Sequence, residues 1–340
     1  MLRLGTLQGS TMGTEVAEMM RKWAAAVTAA TVIGLAGLGA ATAAASPGWR
    51  QPTVSVSGAV GSPATYSLTQ LGAQTPQYSF PVTSWTWRGP RTVTNSGVSV
   101  ENLVNASTPT LPNVKNALLR VTVTVESQSR AVTFALGELD AGFGDHPAYL
   151  ALQTNVAPGG NGQPLSAPEL VVPGDTFGVR TITDVDRIVV AVQNPAQTTP
   201  PAAGDVTIEA GPFTRVLTAA RLASLPQRTL RVSFLAGTAA QTHTEVGPTL
   251  QAVLRAARIP TDLNTWVAAV GSDGYVATVT PAEAWVGGRP LLISLNEDGQ
   301  ALAQPRLVTD GDVKGGRYVS GVVDIAVGSG LGFGSPWWGW

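Results

Sequence analysis

The chain has no cysteine among its 340 residues. That absence removes disulfides, thiolate-bound zinc, iron–sulfur clusters and thiol catalysis together, and leaves core packing to hold the fold. Charge is scarce as well: 13% of residues are charged, and 21 basic against 22 acidic side chains give a net charge of −1. With no basic stripe, a phosphate-neutralising surface is not expected, and nucleic acid is excluded as a partner class. Lysine occurs three times, at Lys22, Lys115 and Lys314, and histidine twice, at His146 and His243. The histidines stand in Gly-Asp-His-Pro and Gln-Thr-His-Thr contexts. These fit no His-x-His or His-Glu-x-x-His arrangement, and both read as surface-loop residues. Gly-x-Ser-x-Gly is missing too, so no nucleophile–base–acid set can be assembled.

What is abundant is apolar and small. A hydrophobic content of 44% over this length predicts a buried core and about two domains. Alanine, glycine, proline, valine and arginine prevail over lysine, as in a high-GC bacterial genome. Arg21 and Lys22, the apolar run Trp23–Leu38 and the small residues Ala41–Ala45 have the layout of a secretory signal, with cleavage expected after Ala45. Met19 or Met20 would then be the true start, and the mature chain would be exported, secreted or held at the cell envelope. The proline-rich stretch 194–204 reads as a linker between modules 53–193 and 205–327, with a Gly/Trp-rich tail over 328–340.

The two sides of that linker repeat each other. Pro173-Gly174-Asp175-Thr176-Phe177-Gly178-Val179-Arg180 precedes an apolar strand, as does Asp310-Gly311-Asp312-Val313-Lys314-Gly315-Gly316-Arg317. Gly, Asp, Gly and Arg recur at a constant offset of 137 residues. Earlier segments agree: Val54–Gly58 with Val206–Gly211 as alternating strands, Leu68–Leu71 with Leu217–Leu222 as short helices, and Gly97–Ala106 with Gly247–Ala256. In the last of these, Leu250, Val253, Leu254 and Ala257 give one apolar helical face. Strands expected over Ala117–Val125 and Trp266–Val270, then Ala131–Leu136 and Tyr275–Val279, complete the pattern. The fold class expected is α+β and β-rich, with two repeated modules of mixed sheet under short helices.

This order of elements resembles the molybdopterin-binding domain of the sulfite oxidase type, taken twice. Ser272-Asp273-Gly274-Tyr275 is similar to one of that family's signals, and the Gly174-Asp175, Gly178 and Arg180 turn to another. The resemblance implies a pterin pocket beside a cysteine that ligates molybdenum. At that place this chain has Val82-Thr83-Ser84-Trp85-Thr86-Trp87-Arg88-Gly89 in one copy and Val232-Ser233-Phe234-Leu235-Ala236-Gly237 in the other. Neither holds a sulfur, and a serine hydroxyl is a poor substitute for a soft thiolate.

The candidate ligand-binding residues are Ser84, Trp85, Trp87, Arg88, Asp175, Arg180, Asp273, Tyr275, Asp312 and Arg317. Trp85 and Trp87 would share one strand face as an aromatic platform, or pack in the core. For Asp175–Arg180 and Asp312–Arg317 the structural alternative has the carboxylate capping backbone amides while the guanidinium bridges to a neighbouring strand. Glu138, Asp140 and Asp145 cluster near Gly142 and Gly144 as hard oxygen donors for calcium would, but they match no EF-hand spacing; Glu138 is expected on a short helix and the cluster reads as a solvated loop. Trp337, Trp338 and Trp340 would meet a partner, an envelope component or a membrane surface. These features predict an exported, non-catalytic binding protein for a protein or small-molecule partner, with no metal and no cofactor. The competing expectations are a molybdopterin-dependent oxidoreductase that holds its cofactor without a thiolate, and a structural envelope protein.

Overall fold

The computed structural model describes residues 51–86, 88–156, 162–198 and 202–332. The expected signal segment, Trp87 and the tail tryptophans Trp337, Trp338 and Trp340 lie outside the described residues. Among the described residues, no helix is long and apolar enough to cross a membrane.

The first half runs β1 (Thr53–Gly58), β2 (Ala64–Ser67), α1 (Leu68–Gly72), β3 (Tyr78–Thr86), β4 (Gly89–Ser99), α2 (Val100–Ala106), β5 (Val121–Glu126), β6 (Ala131–Ala135), α3 (Leu136–Leu139), β7 (Tyr149–Thr154), β8 (Gln163–Val171) and β9 (Arg187–Val192). The second runs β10 (Val206–Ala210), β11 (Phe213–Leu217), α4 (Ala219–Ser224), β12 (Gln227–Ala236), β13 (Ala239–Pro248), α5 (Leu250–Ala256), β14 (Thr265–Gly271), β15 (Val276–Val279), α6 (Pro281–Trp285), β16 (Leu291–Glu297), β17 (Gln300–Thr309) and β18 (Val322–Ser329). Each half builds one five-stranded and one four-stranded sheet. The strand orders, β2-β1-β9-β5-β6 with β3-β4-β7-β8 and β11-β10-β18-β14-β15 with β12-β13-β16-β17, correspond strand for strand. In each five-stranded sheet the opening strand lies parallel to the closing one, and the other pairs are antiparallel. The class is α+β, as the alternating segments predict. One boundary differs: residues 117–120 form a 3₁₀ turn and the strand begins at Val121, because Asn116 enters with φ at 53°.

Local chemistry sets the helices. Ser67, Ser99, Thr218 and Thr249 each cap a helix by accepting a hydrogen bond from the amide three residues on, which satisfies a donor the helix leaves open. The cores follow from alternation. In β5, Val121, Val123 and Val125 join Val54, Val56, Phe134, Ile188 and Val190 under Leu103 and Val104 of α2. Val206, Ile208, Val267, Ala269 and Ile325 do the same under Val253 and Leu254 of α5. Each such valine, leucine, isoleucine or phenylalanine contributes about 1.5–3 kcal/mol on burial. The linker is tied down at its described end: Gln197 donates to Ser272 O at 2.8 Å, and Thr198 Oγ1 to Asp324 Oδ2 at 2.8 Å.

Candidate functional site

The repeated Gly-Asp-x-x-Gly-x-Arg turns put two arginines wholly inside the protein; Arg180 and Arg317 are both 0% exposed. Arg180 pairs bidentately with Asp175, at 2.7 and 2.8 Å, and sends its third arm to Glu138 at 2.6 Å. Arg317 grips Asp312 through two nitrogens and Glu283 through Nη1, at 2.7 Å to each carboxylate oxygen. A fork of this shape matches a carboxylate in a way lysine could not. The fourth members differ. His146 lies 3.7 Å from Asp175 and 3.3 Å from Glu138, whereas Arg289 bonds Asp312 at 3.2 Å and donates to Gly144 O in the first half. The carboxylates pair with the arginines instead of capping amides; Asp175 makes no side-chain cap bond. His146 is buried in this cluster, and Glu138 is sealed at its centre instead of belonging to a solvated acidic loop. His243 is on strand β13, half-buried, and pairs with Asp298 at 2.8 Å.

The clusters meet. Thr280, at the entry to α6, donates to Glu138 at 3.3 Å, and Glu283 feels the field of Glu138. Burial alone would raise Glu138, but Arg180 and then His146 outweigh it and bring the carboxyl down to about 2. Burial, together with the field of Glu138, pushes Glu283 the opposite way in spite of Arg317. Glu138 and Glu283 occupy matching places after β6 and β15, yet Leu-Gly-Glu-Leu and Pro-Ala-Glu-Ala share only the glutamate. That single match is too weak a signal to stand out in the sequence.

Above the second cluster lies a cavity of about 660 Å³ at the junction of the halves. Lys115 and Asn116 come from the first half, Asp273 and Tyr275 from the β14–β15 turn, Phe234–Gly237 from the β12–β13 hairpin, and Lys314–Gly316 from the turn before β18. The paired glycines are required: a Cβ at Gly315 would stand 2.6 Å from the Phe234 ring, and one at Gly316 2.2 Å from Phe143. Tyr275 braces the floor, its hydroxyl donating to Gly316 O and accepting from Asn116 Nδ2 at 2.9 Å. Asp273 holds the turn by accepting from Tyr275 N at 3.0 Å and is otherwise exposed. Both lysines are exposed at the rim. Tyr318 packs on Phe234 with ring centroids 4.3 Å apart and the rings tilted by 37°.

The ten candidate residues therefore separate. Asp175 with Arg180 and Asp312 with Arg317 are joined inside the protein, and Asp273 and Tyr275 come to the cavity. Ser84 and Trp85 lie in the β3–β4 ladder opposite Arg91 and Pro90, and Arg88 is exposed in the turn that follows. Lys115, Lys314, Phe143 and Phe234 were missed as site residues, since lone lysines and aromatics carry no spacing signal. The wall of the cavity where the family resemblance puts a cysteine offers Phe234, Leu235, Ala236 and Gly237, which supply hydrocarbon and backbone alone. Among the described residues, no cluster of three or more His, Cys, Asp or Glu could hold a metal ion. The donor set does not fit a thiolate-anchored molybdenum centre.

A β-rich α+β fold of two like halves with a cavity at their junction is the class that these strands define. No family model and no curated protein matches the chain. Among solved structures, the sulfane dehydrogenase SoxCD from Paracoccus pantotrophus is similar to it at 12% identity, with 79% of this chain and 77% of that one covered and a TM-score of 0.31. A likeness that loose fixes neither the family nor an activity.

Proposed function

We propose that this is an exported, non-catalytic binding protein, a diverged tandem of molybdopterin-domain-like modules that takes a small anionic ligand with a flat apolar part in the junction cavity. One observation carries the ligand reading. The only two lysines beyond residue 22, from segments nearly 200 residues apart, line the same cavity beside Phe143, Phe234 and Tyr275. Two ammonium groups would hold the anionic end, and the aromatic walls would stack on the ring. Asp273 stands against a ligand with charge all around it. Export rests on the layout of residues 21–45, and the modular kinship on the order of motifs in the sequence.

An anionic aromatic probe tests this. Naphthalene-1-sulfonate should bind the purified chain by calorimetry, and the Lys115→Met/Lys314→Met double variant should bind about tenfold more weakly, or about 1.4 kcal/mol. That is the sum of two partly exposed ion contacts at about 0.5–1 kcal/mol each. Equal affinity in the double variant would remove the cavity as the site. Near-stoichiometric molybdenum in protein from its native host would overturn the non-catalytic reading in favour of a pterin-dependent oxidoreductase.

A further inference from the structure

The first half closes a space that the second half leaves open. After β1, the loop 59–63 folds over the end of α2: Gly61 N donates to Thr108 O at 2.8 Å, Ser62 N to Ser107 O at 3.1 Å, and Thr110 N to Ala59 O at 2.9 Å. Val60 in this loop packs on the first core. In the second half, β10 and β11 are joined by Gly211 and Pro212 alone, so nothing corresponds to that loop. The residues in register with Ser107 and Thr108 are Ala257 and Arg258. Thr108 and Arg258 even share a left-handed backbone, with φ at 54° and 60°. Where Val60 sits in the first half, the second has an apolar groove of about 380 Å³ between Ile208, Ala210 and Phe213 on one side and Ala257 to Pro260 on the other, flanked by Arg215 and Arg258. Phe213 is 53% exposed on this edge strand. Among the described residues, no hydrogen bond reaches the carbonyls of Ala257 and Arg258, the counterparts of the two acceptors used in the first half.

We propose that the groove takes the chain's own C-terminal segment 333–340, seated where the loop 59–63 sits in the first half. Three observations favour this occupant. The chain leaves the folded body nearby: β18 is parallel to β10 with Val327 beside Ala210, Gly330 N donates to Asn264 O at 2.9 Å, and Leu331 lines one cleft with Asp262–Asn264, the continuation of the groove wall. Eight extended residues reach roughly 26–29 Å, well beyond the few residues that separate Asp262 from Pro260. The segment also matches the groove in chemistry: Phe333, Trp337, Trp338 and Trp340 are apolar rings, none of its side chains is charged, and Arg215 and Arg258 can lie over an indole face. Its amides would find the open carbonyls of Ala257 and Arg258, in the manner of a strand added to an edge.

The absence of cysteine makes the test clean. In the full-length chain, Arg215→Cys with Gly339→Cys leaves every tail ring in place, and a Ser62→Cys/Gly339→Cys pair at the closed counterpart is the control. Under mild oxidation, the first pair should give at least tenfold more disulfide within a monomer than the control, by mass mapping of the monomeric fraction. Adding Phe213→Asp, an exposed position, should abolish that excess. Disulfide at the control level, disulfide confined to dimers, or a yield unmoved by Phe213→Asp would each overturn the proposal.

Discussion

At the scale of the residue, this protein shows how little a lone charged pair reveals and how much a repeated one does. Asp175–Arg180 and Asp312–Arg317 were legible because Gly, Asp, Gly and Arg recur in register. Their partners Glu138 and Glu283 were not, since a short buried helix with one acidic residue looks like any surface turn. His146 was misread for the same reason: nothing in Gly-Asp-His-Pro says that a glutamate eight residues earlier has turned inward. A buried fork of this kind does more for uniqueness than for net stability, because desolvation cancels much of its attraction. Removing one partner is another matter. Arg317→Met would strand Glu283 and Asp312, each now held at 2.7–2.9 Å by the guanidinium, and among the described residues would leave Arg289 as the one cation still bonded to either, on Asp312. The expected loss is about 3–5 kcal/mol, read as a fall in the urea midpoint at unchanged slope. Arg221→Met, on an exposed helix, should cost no more than about 0.5 kcal/mol.

At the scale of the element, periodicity and the repeat located the strands and short helices in the sequence, whereas the helix caps and the backbone crossings carried no signal that was read there. The matching of Gly97–Ala106 with Gly247–Ala256 located both helices, each behind a hydroxyl cap. It did not explain why both segments begin with glycine. A Cβ on Gly97 would lie 1.9 Å from Leu150 O, and one on Gly247 2.1 Å from Ile293 O, because β7 and β16 press their carbonyls against these strands. Gly247→Ala should therefore destabilise at or above the top of the roughly 1–3 kcal/mol typical of overpacking, seen as a lower melting temperature. Gly299→Ala offers the contrast: with nothing within 4 Å of its Cβ, it bears only the cost of a left-handed turn at φ 84°. At the β3–β4 hairpin Thr86 pairs with Gly89, whose φ of 105° opens the return strand.

At the scale of the whole molecule, the two halves share more than a border. Leu119, from the first half, is wholly buried in the second half's core, and Leu263, from the second, packs against the first. Each leucine precedes the strand that lies antiparallel beside the central strand of its own half, β5 and β14, so the exchange is reciprocal. The ion clusters obey the same rule: a Cβ at Gly137 would come 3.0 Å from Arg317, and one at Gly287 3.1 Å from Arg180. Each buried arginine thus rests on the helix region of the opposite half, and Thr133 N donates to Leu263 O at 3.0 Å across the same boundary. A half made alone would expose Leu119 or Leu263 and leave its arginine open to water on one side. Such a surface resembles an obligate interface more than a hinge between independent domains. Residues 46–198 and 202–340 expressed separately should therefore melt without a cooperative transition by circular dichroism, and mixing them should restore one transition and a single species with the summed mass of the two halves on a sizing column. Cooperative melting by either half alone would show that the shared core is dispensable, and that the two modules fold first and dock afterwards.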